Sequence, residues 1–216
     1  MTENFDQLVH DAQVFFAALK DNNDRAWFQA RKAEYDATIR IPATHFADQV
    51  GAELSARTGV AHIPKIFRQY RDVRFSRDKS PYHCHVHILW KPAEGPREGP
   101  AYFFGVSPDY VTTGAGVMAF GSQGLAAFRA AVDGEAGDRL AAVLAGLIAA
   151  GCRMDEPALK RVPKPYDAAH RHGDLLRHKG LVVWRDIDTD RGEGTLPAVT
   201  RECARFEPLV SMLGEI

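Results

Sequence analysis

Apolar residues change their spacing twice along this chain, and that change limits the fold more than any other feature. Near the start they recur every three or four positions. Phe5, Leu8, Ala12, Phe15 and Leu19 make one stripe; Phe28, Tyr35 and Ile39, then Phe46, Val50 and Leu54, make two more. Such spacing collects side chains on one face of an α-helix. In the middle of the chain the period falls to two. Lys65–Tyr70 is a short β-prone run. Across His83–Trp90, Cys84, Val86, Ile88 and Trp90 point one way while His83, His85, His87 and Leu89 point the other. Ala101–Val106 and Tyr110–Phe120 read as further strands, parted by Ser107-Pro108-Asp109. Their connections are too short for helical crossovers, so an antiparallel meander is expected. Helical spacing returns at Leu125–Val132 and at Asp138–Ala150, where Leu140, Leu144, Leu147 and Ile148 form the predicted buried stripe. Asp174 is expected to cap a short helix over Leu175-Leu176, and Leu181–Asp186 reads as one more strand. A last helix puts Val199, Cys203, Phe206, Val210 and Leu213 on one seam. The expected class is α+β: a central, mostly antiparallel sheet flanked by N-terminal, middle and C-terminal helices.

The punctuation agrees. Asn22-Asn23-Asp24 offers short polar side chains to a helix start, Pro42 suits a first helical turn, and Gly59 and Gly151 suit helix ends. No repeat, linker or low-complexity tract interrupts the 216 residues, so a single domain over 1–216 is expected. Net charge is −1, so no overall field draws the chain to nucleic acid or a membrane, and any anion site must arise from local clustering. Cys84, Cys152 and Cys203 are odd in number and widely separated. That pattern argues against a disulfide framework or thiolate zinc site and favours a reducing, cytoplasmic setting. The first residues lack the basic and apolar regions of a signal peptide, and the apolar run Leu140–Ala150 is well short of the ~20 residues of a membrane span.

The densest chemistry lies between Arg68 and Lys79, where Arg68, Arg71, Arg74, Arg77 and Lys79 face only Asp72 and Asp78. If Arg68–Phe75 is extended, Arg68, Tyr70, Asp72 and Arg74 share one face, and Arg71, Val73 and Phe75 share the other. Asp78-Lys79-Ser80-Pro81 is turn chemistry, which would return the chain past the arginines into the histidine strand. Guanidinium groups suit phosphate, nucleotide, carboxylate or nucleic-acid backbone. They equally suit an internal network, here Arg71 with Asp72 and Arg74 with Asp78, bracing a hairpin.

His83, His85 and His87 alternate on one strand face, a spacing metals do use. Yet His83 and His87 would stand about 13 Å apart at ~3.3 Å per residue, against zinc–nitrogen bonds of ~2.0–2.1 Å. A metal site would therefore need two neighbours plus a distant ligand such as His170, His172 or Asp174. Cys84 points away from the histidines and reads as a buried, inert thiol. Gly114-Ala115-Gly116-Val117-Met118-Ala119 matches a dinucleotide fingerprint in spelling, but no helix opens there, so strand glycines are expected. Lys160, Arg161 and Lys164 form a second basic patch.

Three blocks carry a resemblance. They are Asn22-Asn23-Asp24-Arg25-Ala26-Trp27-Phe28 with Lys32 and Tyr35; Arg71-Asp72-Val73-Arg74-Phe75-Ser76-Arg77-Asp78-Lys79-Ser80-Pro81-Tyr82; and Leu159-Lys160-Arg161-Val162-Pro163 with Tyr166, Asp167, His170, Asp174-Leu175-Leu176-Arg177 and Lys179. In that order they resemble family 2461 of domains of unknown function. The resemblance implies one α+β domain and leaves the activity open. The sequence departs from the pattern at His83, Pro165, Ala169 and Arg171, while His85 and His170 match it. The expectation is a protein that binds a small phosphate- or carboxylate-bearing ligand through Arg68, Arg71, Arg74, Lys79 and Tyr82, with no cofactor. If it is an enzyme, His85 and His170 are the proton-transfer candidates. Two alternatives stand beside it: a structural or nucleic-acid-associated module, and a metal-dependent hydrolase on His83, His85 and His170.

Overall fold

The structure is a computed structural model and describes residues 5–96, 98–189 and 192–216. Helices α1 (Phe5–Asp21), α2 (Arg25–Ala30) and α3 (Lys32–Tyr35) lead through a π-helical turn at Asp36–Arg40 into α4 (Ile41–Thr58). Strands β1 (His62–Ile66), β2 (Val86–Pro92), β3 (Ala101–Ser107) and β4 (Tyr110–Val117) follow. Then come α5 (Ser122–Asp133), α6 (Glu135–Ala149), β5 (Arg153–Met154), α7 (Gly173–Leu176), β6 (Leu181–Asp186) and α8 (Thr195–Gly214). The six strands form one antiparallel sheet in the order β1-β2-β3-β4-β6-β5, so the fold is α+β with helices at both ends and in the middle of the chain. Among the described residues no helix is long and apolar enough to cross a membrane.

The chain packs as two compact units, each assembled from three segments. The first takes residues 1–93, 103–113 and 186–201; the second takes 94–102, 114–185 and 202–216. Four of the five boundaries fall inside β3, β4, β6 and α8, which is why the sequence carries no linker.

In the first unit, the α1 stripe meets aromatic residues of its neighbours. Phe15 stands 6.2 Å from Phe28 and 5.6 Å from Tyr35 between ring centroids, and Phe5 meets Phe46 edge-on at 5.2 Å. The Asp24 side chain accepts from the Trp27 N–H, the N-cap expected from its sequence position. Pro42 falls in the first turn of α4, and Gly59 ends that helix at φ 73°. Trp90 is buried on β2 and donates its indole N–H to the Ala47 carbonyl at 2.7 Å. A buried indole with its donor satisfied contributes its full apolar area without a polar penalty. β1 pairs with β2 from His62↔Pro92 to Ile66↔Ile88.

In the second unit, α5 and α6 bury Phe128, Val132, Leu140, Leu144 and Leu147. The glycines of β4 are strand glycines. A Cβ on Gly116, at φ 137°, would lie 2.0 Å from the Leu181 carbonyl oxygen, and one on Gly114 would lie 2.4 Å from the Trp184 ring. Close strand approach, and no dinucleotide loop, accounts for that motif.

Several elements differ from the sequence reading. β1 ends at Ile66, and beyond it the expected run to Tyr70 survives only as an isolated Tyr70↔Tyr82 bridge. β2 starts at Val86, because the stretch from His83 bends before pairing regularly. β4 stops at Val117, short of Phe120. Ile148 is 45% exposed, and Leu209 takes the buried place expected of Val210 on α8. Asp174 lies in the first turn of α7, whose N-cap is His172. The two-residue β5 is too short to show as a period in sequence.

Candidate functional site

Residues 67–87 of the first unit form an irregular antiparallel excursion. The Phe67 N–H donates to the His87 carbonyl, His83 N–H to the Gln69 carbonyl, and Arg71 N–H to the Pro81 carbonyl at 2.9 Å. From Ile66↔Ile88 to Tyr70↔Tyr82 the returning strand spends two more residues than its partner. Such a bulge strands backbone carbonyls. Buried Gln69 answers this: its side-chain amide donates to the carbonyls of His83 and His85, and its oxygen accepts from the Tyr35 hydroxyl at 3.2 Å. Asn23 clamps the same strand. It donates to the Tyr82 carbonyl at 3.0 Å, accepts from the Tyr82 N–H at 3.1 Å, and reaches the Cys84 sulfur at 3.3 Å. Burial pushes the Cys84 thiol up, so it stays protonated at neutral pH.

The arginine loop consumes most of its own donors. Arg71 donates to Asp78 and, at 3.1 Å, to the Ser80 carbonyl. Asp78 also accepts from the Ser80 N–H and hydroxyl at 2.9 and 2.7 Å, and these bonds, with Arg71, pull its carboxyl down to about 2. Arg74 grips Asp72 through Nε at 3.0 Å and Nη2 at 2.7 Å, and Lys79 caps the Val73 carbonyl at 3.0 Å. The pairing is therefore crossed relative to the sequence expectation: Arg71 takes Asp78 and Arg74 takes Asp72. Arg68 and Arg77 are exposed, and the charge of Arg68 helps to lower the Asp72 carboxyl that Arg74 holds. Tyr82 is buried and stacks on Phe28 at 4.1 Å, so its ring belongs to the core. Phe75 is 96% exposed at the loop tip.

The strand histidines form a column. His83 and His85 rings are 4.9 Å apart, and His85 and His87 stack at 3.7 Å and 17°. His87 Nε2 lies 2.8 Å from the Tyr110 hydroxyl, in space left by Gly105, where a Cβ would come 3.0 Å from the imidazole. All three imidazoles are held below the ordinary histidine value: burial dominates, Arg71 and Arg68 add to it at His83, and His85 falls to about 4. They are neutral at pH 7. Imidazole lone pairs lie in the ring plane, so stacked rings send them side by side and not to one point. Among the described residues no three His, Cys, Asp or Glu side chains converge as metal ligands.

His170 belongs to the second unit. Its Nδ1 accepts from the His172 N–H at 3.0 Å and its Nε2 stands 3.3 Å from Asp133, so both nitrogens are occupied. His172 Nε2 lies 2.8 Å from Asp138, whose other oxygen takes Arg171 at 2.8 Å. These histidines line a groove of about 770 Å³. Leu144, Ala145, Ile148 and Met154 supply apolar lining; Lys160, Arg161, Arg171 and Arg177 supply cations. Arg177 pairs with Asp174. Lys160 and Arg161 have no carboxylate partner among the described residues. Exposed Ile148 finds its explanation here, because it faces the groove and not the core.

The features of both units fall within one family match, which spans residues 11–212. The chain belongs to the conserved hypothetical protein family DUF2461. No curated protein matches it. The DUF2461 match takes in the Asn23 clamp, the arginine loop, the histidine column and the groove. Sequence reasoning picked out His85, His170 and the arginines by residue type, but missed Gln69, Tyr110, Asp133 and Asp138. Those four carry no motif; their roles come from partners 10 or more residues away.

Proposed function

We propose that this protein binds a small anion with an apolar body in the groove of the second unit. The observation that carries the reading is the pairing of an apolar floor with two cations, Lys160 and Arg161, that have no carboxylate partner among the described residues. Concave sites of several hundred Å³ with a few placed polar groups are the ordinary form of a small-molecule site. The floor through Leu144, Ile148 and Met154 accepts an acyl or similar chain, and the cations accept its carboxylate or phosphate. The arginine loop fits this role less well, because Arg71, Arg74 and Lys79 already satisfy the loop's own acceptors. It reads as scaffolding. A reducing, cytosolic setting belongs to the same proposal, supported by the odd number and wide spacing of the three cysteines.

The test is thermal unfolding with decyl phosphate, inorganic phosphate and decanol. A ligand at a hundred times its Kd adds about 2.7 kcal/mol, a rise of roughly 5–10 °C for a chain of this size. Decyl phosphate should give the rise, and the Lys160→Ala/Arg161→Ala variant should lose it. An equal rise in that variant, or none in the parent protein with any anionic amphiphile, removes the proposal.

A further inference from the structure

One surface strip of the first unit combines exposed aromatic and cationic side chains, and within it the Tyr70 ring also packs on Tyr82 at 4.9 Å. β1 is an end strand of the sheet, and Ile63 and Lys65 are its exposed positions, followed at the same two-residue step by Phe67. Past the strand come Arg68, Tyr70, Arg74, Phe75 and Arg77, all exposed. Phe67 and Tyr70 are each 45% open and Phe75 is 96% open. Cations stand over two of these rings: Lys65 Nζ is 5.2 Å from the Phe67 centroid, and the Arg74 guanidinium is 6.0 Å from that of Phe75.

A single exposed phenylalanine needs no explanation. This one sits on a loop whose carboxylates are already spent, Asp72 on Arg74 and Asp78 on Arg71 and Ser80. The network holds the aromatic tip in place and neutralises the acids that would repel an anion. From Lys65 to Lys79 six cations stand against those two acids, although the whole chain is near neutral. A partner must therefore be anionic and must present flat apolar faces at intervals. A duplex hides its base faces, whereas a single strand offers both bases and phosphates.

We propose that the first unit binds single-stranded nucleic acid along β1 and the 67–77 loop. Bases stack on Phe67, Tyr70 and Phe75, and phosphates meet Lys65, Arg68 and Arg77. The test is fluorescence anisotropy with labelled oligo(dT), oligo(rU) and a duplex of equal length. Three phosphate contacts at a slope of ~0.7 each give a fall in log affinity of about two per decade of salt. Phe75→Ala should weaken binding about tenfold, within the ~1–3 kcal/mol of one base stack. Arg77→Ala should flatten the salt slope by about 0.7. Both positions are exposed, so the variants fold. The groove variant Lys160→Ala/Arg161→Ala should bind as the parent does. The proposal is overturned by absence of binding at low salt, by duplex binding as tight as single-strand binding, or by affinity that Phe75→Ala and Arg77→Ala leave unchanged.

Discussion

The histidine column makes stability depend on pH in a window of its own. His85 has an ordinary value of 6.5 in an unfolded chain and about 4 in the fold, lowered first by burial and then by His87 and His83. Between those values the unfolded chain holds one more proton at this site than the folded chain. Stability therefore rises with pH across this window: the His85 contribution is complete above about 6.5 and is lost as pH drops through about 4. At ~1.4 kcal/mol per unit, a sealed site would lose about 3 kcal/mol. His85 is only partly buried, and solvent screening reduces this to roughly 1.5 kcal/mol. His83 and His87 shift in the same direction and steepen the slope; Arg71 and Arg68, beside His83, oppose its charging. Asp78 acts in a separate window. Its lowered carboxyl stabilises the fold above the ordinary carboxylate value and loses that effect only as pH falls towards about 2. Urea unfolding of the parent and of His85→Gln, from about pH 7 to about 4.5, isolates the histidine effect. The variant should lose up to one proton from the slope, about 1.4 kcal/mol per pH unit at most. Identical slopes in the two proteins would refute the reasoning.

Two further predictions concern the fold around the sites. Gln69→Ala strands the carbonyls of His83 and His85 and the Tyr35 hydroxyl, so chemical denaturation should show a loss of roughly 2–3 kcal/mol; a loss under half a kcal/mol would mean that water replaces the amide. Gly116→Ala sets a side chain at φ 137° against the Leu181 carbonyl, and the cost should exceed about 3 kcal/mol or leave no soluble protein, measured by melting temperature and yield.

Much of this architecture is legible in sequence because its causes are local. The stripes of α1, α4 and α6, the alternation Val86-Ile88-Trp90, the Asp24 cap, the Gly59 stop and the break at Ser107-Pro108-Asp109 each follow from backbone geometry over a few residues. The α+β class follows from their order. Ile148 marks where periodicity stops being enough: its place on α6 follows from spacing, but whether that face meets core or groove depends on what lies opposite.

The arginine cluster divides the two kinds of information most clearly. Sequence alone determines that many cations and two carboxylates share a short loop, and that some internal pairing is needed. Neighbourhood in sequence suggests Arg71 with Asp72 and Arg74 with Asp78. The Tyr70↔Tyr82 bridge decides otherwise, because it brings Arg71 beside Pro81 and the returning chain, where Asp78 and the Ser80 carbonyl are nearer acceptors. Arg74 is left to Asp72, and Arg68 and Arg77 to the surface. Charge acts through space and falls off with distance, so which charges pair and which remain open was decided only when the chain crossed itself.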